Sequence, residues 1–556
     1  MGEAKSKLKD VAVAAKKPLK KPVGSDAPMT VATPGGCMQV RWDTRSNATV
    51  MGQLAFFAEF LEAVGLFDNW VEHCPLHYSS PNAPKVRDVL GTWLLSILDG
   101  QRRYAHVAGL RGDSVAPKIL GMSRVIGDES LRRALAQIAP APKGTDIETE
   151  QLQQQEQLRK AGKWMKQSLR ESVQHALDTP WILDIDSTVK LLYGHQNGAE
   201  IGYNPKKPGR PSHTIHTYWL ANLRLVLDAE VQSGKSSSSA HSLPALIALI
   251  NGLSQEQRPQ LVRGDCGFGN ERVMCELEAI SQNYLFKLKQ SANVKRMIER
   301  QWRQRAWSDA GQGWEACEDT LALTGWSMSR RVIVMRRAIR GDLVAEMPKM
   351  KSAGAKTRDG KTKAQEQVQI CLQFADENEP LKLWEYAVLV TNTTRRIEHM
   401  GQLYRDRADC ENGFDELKNQ WGWGGYSTQD IERCNLSAQA VALIYNWWSW
   451  YVRLANPGAR MEAVTSRPML LAAVGRVTEH GGQTRVLLSI THAAAAKVKA
   501  LVNNIRDGLQ KVLATAPQLT SAQRWRVLAL YIIDQIIAAS AQNRPKSTPP
   551  IALEAG

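Results

Sequence analysis

Hydrophobic positions fall into two rhythms along this chain. Between residues 50 and 140 they recur every three or four residues. Phe57, Phe60, Leu61 and Val64 share one face, and Leu90, Trp93, Leu94, Ile97 and Leu98 share another. That spacing predicts amphipathic helices. Toward the end of the region, Pro117-Lys-Ile-Leu-Gly121 predicts a short helix with a glycine stop. Asp128 then offers an N-cap to a second helix bearing Leu131, Arg132, Arg133 and Leu135. A short helix, a turn and a helix with outward arginines is the layout of a helix-turn-helix reader, and an ordinary helical hairpin gives the same pattern. Residues 140–150 read as a linker containing Pro and Gly, and 151–177 as a polar bridging helix.

From Trp181 the texture changes. A strand at 181–186, a hairpin turn near Asn197-Gly198 and a strand from Leu223 to Val231 come first. A helix (Ser242 to Leu253), a strand (Gln260 to Asp265), a helix (Glu271 to Ile280) and a strand (Tyr284 to Lys289) follow. Strands first, then helix and strand in alternation, fit an RNase H-like mixed sheet. Residues 300–385 are rich in Trp and in β-branched runs around a Lys-rich loop, and read as an inserted β-subdomain. The run Tyr386 to Val390 brings the chain back, and one long helix is expected from Ile397 to Lys418. Beyond Asn435, and again beyond Met469, the pattern is helical, with Trp447, Trp448 and Trp450 as core.

The expected fold class is therefore α/β: an RNase H-like catalytic core interrupted by a β-rich insertion, with helical N-terminal and C-terminal regions. The expected division is a disordered basic arm (1–45), a helical domain with the candidate reader layout (46–140), a linker and bridging helix (141–178), the first part of the core (179–299), the insertion (300–385), the second part of the core (386–430) and a helical C-terminal region (431–556), frayed at its Pro- and Ala-rich end.

Charge narrows the function. Lys and Arg number 71 against 55 Asp and Glu, a net +16, and a protein this basic is expected to meet a polyanion, most often nucleic acid. The first 22 residues hold seven Lys, two acids and no aromatic, too little apolar surface to order a segment but enough charge for an arm on phosphate. Eight Cys without a CxxC pair exclude a disulfide framework. His73, Cys74 and His77 lack the second ligand pair a zinc site needs. With no apolar signal region and no membrane-length apolar run, a cytoplasmic protein is expected.

Three acids stand out by position. Asp186 is placed at the end of the first strand, Asp265 at the end of a second, and Glu411 on a helix face. In an RNase H-like sheet the first and fourth strands are neighbours, so their carboxylates come together and a packed helix adds the third. Hard oxygen ligands of this kind suit Mg²⁺, and two such ions can activate an attacking oxygen and stabilise the leaving one in phosphodiester chemistry. Around Glu411 the chain reads Leu-Tyr404-Arg-Asp-Arg407-Ala-Asp-Cys-Glu411-Asn-Gly-Phe-Asp-Glu-Leu-Lys418. Steps of three, four and seven residues put Tyr404, Arg407, Glu411 and Lys418 on one face of a continuous helix, suited to a phosphate backbone.

This Y-(2)-R-(3)-E-(6)-K pattern resembles the signature of bacterial insertion-sequence transposases with an Asp-Asp-Glu (DDE) active site. Trp421-Gly-Trp-Gly-Gly425, Leu183-Asp-Ile-Asp-Ser-Thr188, Gly202-Tyr-Asn-Pro-Lys-Lys-Pro-Gly-Arg-Pro211, Arg263-Gly-Asp-Cys-Gly-Phe268 and the Asp88 to Leu135 stretch are similar to the family too. The resemblance spans roughly residues 50–460. It implies that Asp186, Asp265 and Glu411 are the catalytic metal ligands for two Mg²⁺ ions, with Mn²⁺ able to substitute. It implies that Tyr404, Arg407 and Lys418 hold the strand near the cleaved phosphate. Asp184, on the same strand face, is the alternative first ligand; Asp186 is preferred because it precedes Ser-Thr. Lys206, Lys207 and Arg210 are expected to touch phosphate, Arg132 and Arg133 to read the DNA end, and one Trp of the insertion (Trp302, Trp307, Trp314 or Trp326) to receive a flipped base.

The implied activity is cleavage of double-stranded DNA at the terminal inverted repeats of an insertion sequence and transfer of the 3′ ends to a target, by a homodimer in a paired-end complex in the bacterial cytoplasm at the nucleoid. The alternatives are a transposase-derived DNA-binding protein without strand transfer, and a general RNase H-like nuclease.

Overall fold

A computed structural model of the protein describes residues 28–41, 43, 47–141, 148–204, 207–236, 238–304, 307–339, 372–373, 383–489, 494–515 and 517–542. Most of the basic arm, most of the Lys-rich loop of the insertion, Lys206 and the C-terminal end lie outside the described residues. Residues 28–41 and 43 belong to a separate unit. Within it Met29–Thr33 pairs with Gly36–Val40 as an antiparallel hairpin, where composition predicted disorder.

The rest is organised on one mixed sheet of eleven strands among the described residues. Strand β1 (Ile182–Leu191) lies antiparallel to β2 (Pro211–Leu220), which pairs with β3 (Leu225–Ser233). On its other side β1 is parallel to β4 (Leu261–Gly264), and β4 is parallel to β5 (Tyr284–Lys287). The spatial order 3-2-1-4-5, with β2 alone running opposite to the other four strands, is the RNase H-like arrangement. Two details differ from expectation. β1 runs five residues past Asp186, which sits mid-strand opposite Thr217. And β2 is a strand whose length is not apparent from its polar, His- and Thr-rich sequence; it is nevertheless buried over most of its length.

The insertion is not a separate subdomain. Strand β8 (Leu383–Thr391) pairs with β5, and beyond it β7 (Arg330–Ala338) and β6 (Trp314–Leu321) continue the same sheet. Unbroken burial over Val332–Met335 and Tyr386–Val390 covers both faces of these strands, so among the described residues they continue the core. At the opposite edge β3 is closed by the Ile431–Ala455 helix. Asn446 acts there as a substitute strand: its Oδ1 accepts from Val226 N–H at 2.9 Å and its Nδ2 donates to Val226 O at 2.7 Å. An edge covered this way cannot template another chain.

The N- and C-terminal helical regions form one body. Phe57, on the Leu54–Val64 helix, meets Trp448 and Tyr451 with ring centroids 5.2 Å apart. Trp70 stacks on Trp164 of the Glu148–Val173 helix at 5.6 Å and meets Trp447 at 5.7 Å. Trp525, on the Ser521–Gln542 helix, closes against Phe60 and Trp450. Helix Asp128–Ile138 forms as predicted, but its N-cap is Gly127, and Asp128 is the first helical residue, where its charge suits the helix dipole. Beyond Met469 the helical expectation is interrupted. Gly475–His480 and Gln483–Leu488 form a hairpin around Gly481-Gly482, both at positive φ, a turn signal of the strongest kind.

Candidate active site

The helix expected from Ile397 to Lys418 is two helices, Ile397–Arg405 and Ala408–Asn419, broken at Asp406-Arg407. The break has a cause from across the sheet. In a continuous helix the Leu403 carbonyl would accept the Arg407 N–H. Instead the Arg263 guanidinium bonds that carbonyl, and the Arg407 N–H turns to Tyr404 O at 3.1 Å. Arg263 is only 2 % exposed. Its other two nitrogens grip both oxygens of Asp184 at 2.6 and 2.7 Å. Burial pushes the Asp184 carboxyl up and the Arg263 guanidinium pulls it back. Asp184 is thus spent on a bidentate buried pair.

The break aims Arg407 at the carboxylates. Its Nη2 donates to Asp186 Oδ2 at 2.5 Å, and its Nη1 to Glu411 Oε1 at 3.3 Å. Asp186 also accepts from the Ser187 N–H at 2.7 Å. Burial pushes the Asp186 carboxyl up to about 6; Arg407 and the Ser187 N–H oppose the rise, while Asp265 and Glu411 add to it. Burial works against the Arg407 charge, but Asp186, Tyr404, Cys410 and Asp265 together outweigh it and hold the guanidinium above its ordinary value. Asp265, just past β4, accepts from the Gly267 N–H at 2.9 Å, so it also shapes its own turn. Burial raises the Tyr404 hydroxyl; Arg407 opposes this, and Asp265, Cys266 and Asp186 reinforce it. Glu411 is the exposed member, with its side chain 66 % accessible. Lys418 follows two turns later on the same helix.

That helix is seated by two features. Gly413 lies against Trp219 of β2, where an added Cβ would come within 2.8 Å of the indole. Glu416, 2 % exposed, accepts from Arg460 at 2.7 Å, from the Ala463 N–H at 3.0 Å and from Trp421 Nε1 at 3.2 Å. Buried Lys190 of β1 donates to Gly425 O and ties the following loop to the same strand. Arg263, Glu416 and Lys190 were not singled out from the sequence. The available signal was a charge inside an apolar run, as in Leu-Val-Arg263-Gly.

The site therefore gathers Asp186, Asp265, Glu411, Tyr404 and Arg407. Among the described residues no three acidic, His or Cys side chains form a ready-made metal cage; Arg407 lies between Asp186 and Glu411 instead. Three carboxylates against one guanidinium still leave the cluster short of positive charge, and their hard oxygens suit Mg²⁺ or Mn²⁺. The other predicted residues lie elsewhere. Lys207 and Arg210 sit over the ring of Tyr193 in the loop before β2. Arg132 lies over Tyr104, and Arg133 pairs with Glu129 at 3.0 Å on the exposed face of their helix. In the insertion, Trp314 is buried, and Trp307 and Trp384 sandwich the Arg336 guanidinium at 4.1 and 4.3 Å.

No curated protein matches the chain. A solved structure similar to it is a piggyBac transposase synaptic complex with hairpin DNA, 10 % identical, covering 90 % of this chain and 87 % of that one at a TM-score of 0.38. The family model described as "Transposase DDE domain" matches residues 178–447. No helix among the described residues is long and apolar enough to cross a membrane. Residues 178–447 of this chain are thus similar to a transposase DDE domain.

Proposed function

We propose that this chain is a DNA transposase that binds the terminal inverted repeats of an insertion sequence, cuts the ends and transfers the freed 3′ ends to target DNA. The observation that carries the reading is the convergence of Asp186, Asp265 and Glu411 on Arg407 at the helix break. The three carboxylates would hold two Mg²⁺ ions, which supply activation of a water or a 3′-hydroxyl and stabilise the leaving oxygen. Arg407 has two alternative acceptors of the same kind, the carboxylates and a DNA phosphate, and its planar fork fits either. Tyr404 and Lys418 flank it along the strand. Lys206, Lys207 and Arg210 add phosphate contacts, and Arg132 and Arg133 read the end. Two protomers would hold the two ends together in the bacterial cytoplasm, at the nucleoid.

The test pairs affinity with cleavage on one duplex carrying the inverted repeat found beside the gene. Glu411→Gln, Asp186→Asn and Asp265→Asn should each lower Mg²⁺-dependent cleavage by orders of magnitude. Gel-shift affinity should hold or rise, because a charge that repels phosphate is gone. Normal cleavage by Glu411→Gln would remove the assignment.

A further inference from the structure

The loop between β1 and β2 exposes three large side chains within eleven residues: Tyr193 is 70 % exposed, Ile201 57 % and Tyr203 76 %. Apolar surface concentrated in this way marks a contact site. The topology brings its parts together. The Leu192 N–H donates to Pro211 O at 3.1 Å, and Ile201 pairs with Pro211 from the other side. Three segments therefore run side by side, and Tyr193, Tyr203 and Arg210 all lie just past the same end of them. The root of the loop is clamped, since a Cβ on Gly202 would stand 1.7 Å from the Gly234 carbonyl oxygen.

Cations complete the arrangement. The Arg210 guanidinium lies 4.9 Å from the centre of the Tyr193 ring and the Lys207 ammonium 5.8 Å from it. Lys207 also donates to the Tyr193 hydroxyl at 3.3 Å. Cations held on an aromatic ring that stays largely exposed offer a π-face in a positive field. Duplex phosphate would use the cations and leave the tyrosines idle. An apolar peptide would use the tyrosines and leave the cations unmatched. A nucleotide with an unpaired base uses both.

We infer that Tyr193, backed by Arg210 and Lys207, is a stacking platform for an unpaired base of the DNA bound at the carboxylate site, with Tyr203 beside it. This rests on the transposase reading above and adds where the strand is held. β1 carries Asp186 and leads directly to Tyr193, seven residues on, so the platform lies at most about 23 Å from Asp186 by strand rise. That is roughly seven nucleotide steps from the reacting phosphate.

The experiment uses the full chain, a blunt duplex and the same duplex with a short single-stranded tail containing the fluorescent base aminopurine. Wild type should prefer the tailed duplex and quench the tail's fluorescence. Tyr193→Ala should lose about tenfold in affinity for the tailed duplex, the size of one base–aromatic stack, and lose the quenching, with blunt-duplex affinity kept. Tyr193→Phe should behave as wild type. A Tyr193→Ala variant that keeps the tail preference and the quenching overturns the platform alone. A wild-type protein that binds neither duplex overturns the transposase reading with it.

Discussion

Asp184 and Asp186 stand two residues apart on one face of β1, and their neighbours give them different work. Asp184 is only 1 % exposed and is held by both arms of Arg263. Asp186 faces a guanidinium that has other acceptors within reach. Removing one partner of a buried pair strands the other charge, at about 3–5 kcal/mol. Asp184→Asn should therefore lower the urea midpoint strongly, and replacing Asp184 and Arg263 together by apolar residues should recover much of the loss. An Asp184→Asn protein that unfolds like wild type yet cannot cleave would make Asp184 the ligand instead. Sequence alone placed both carboxylates on one face and favoured Asp186 through its Ser-Thr neighbours. It could not separate them physically, because the separating group is an arginine on a strand distant in sequence.

At the scale of elements, the broken helix shows the same limit. Periodicity runs unbroken from Ile397 to Lys418, and no Pro or Gly stands at Asp406-Arg407. The interruption comes from a side chain that captures one carbonyl, and local pattern carries no trace of it. The existence of the Glu411 helix and its Lys two turns on were legible; the redirection of Arg407 was not. The seat of that helix is also a long-range matter. Gly413→Ala would gain about 1 kcal/mol in helix propensity but drive a methyl into Trp219, an overpacking that costs about 1–3 kcal/mol. The variant should melt lower than wild type and cleave more slowly, since the helix carrying Glu411 must lift. A higher melting temperature would mean that the contact with Trp219 is slack.

For the whole molecule, the order of strands and helices in the core, β2 apart, could be read from alternation and turn residues. The continuity of the sheet through the insertion and the union of both helical regions could not, because each depends on which apolar faces find one another. One charged tie joins the two layers. Lys166, on the Glu148–Val173 helix, lies 3.5 Å from Asp228 and 3.3 Å from Glu230 on β3. Burial raises the Asp228 carboxyl to about 6; Lys166 opposes this and Glu230 adds to it. A carboxyl raised in the folded state binds protons that the unfolded chain has already lost, so its contribution is full below pH 4 and declines as pH rises through 6. Asp228→Asn has no such dependence. Its stability relative to wild type should climb between pH 4 and 6 by on the order of 2–3 kcal/mol and then level off. Parallel pH profiles for the two proteins in urea titrations would contradict the raised carboxyl.

The seating of Trp525 against Phe60 and Trp450 also sets a timetable. Phe60 is made 465 residues before the indole that completes its packing. At about 5–20 residues per second, tens of seconds pass in which Phe60 has no final neighbour. Asp186, Asp265 and Glu411 are all synthesised before that closing piece arrives. A nascent chain thus holds every acid of its site while its helical body is still open, and the newborn protein in that interval is a client for whatever shields apolar surface at the tunnel exit.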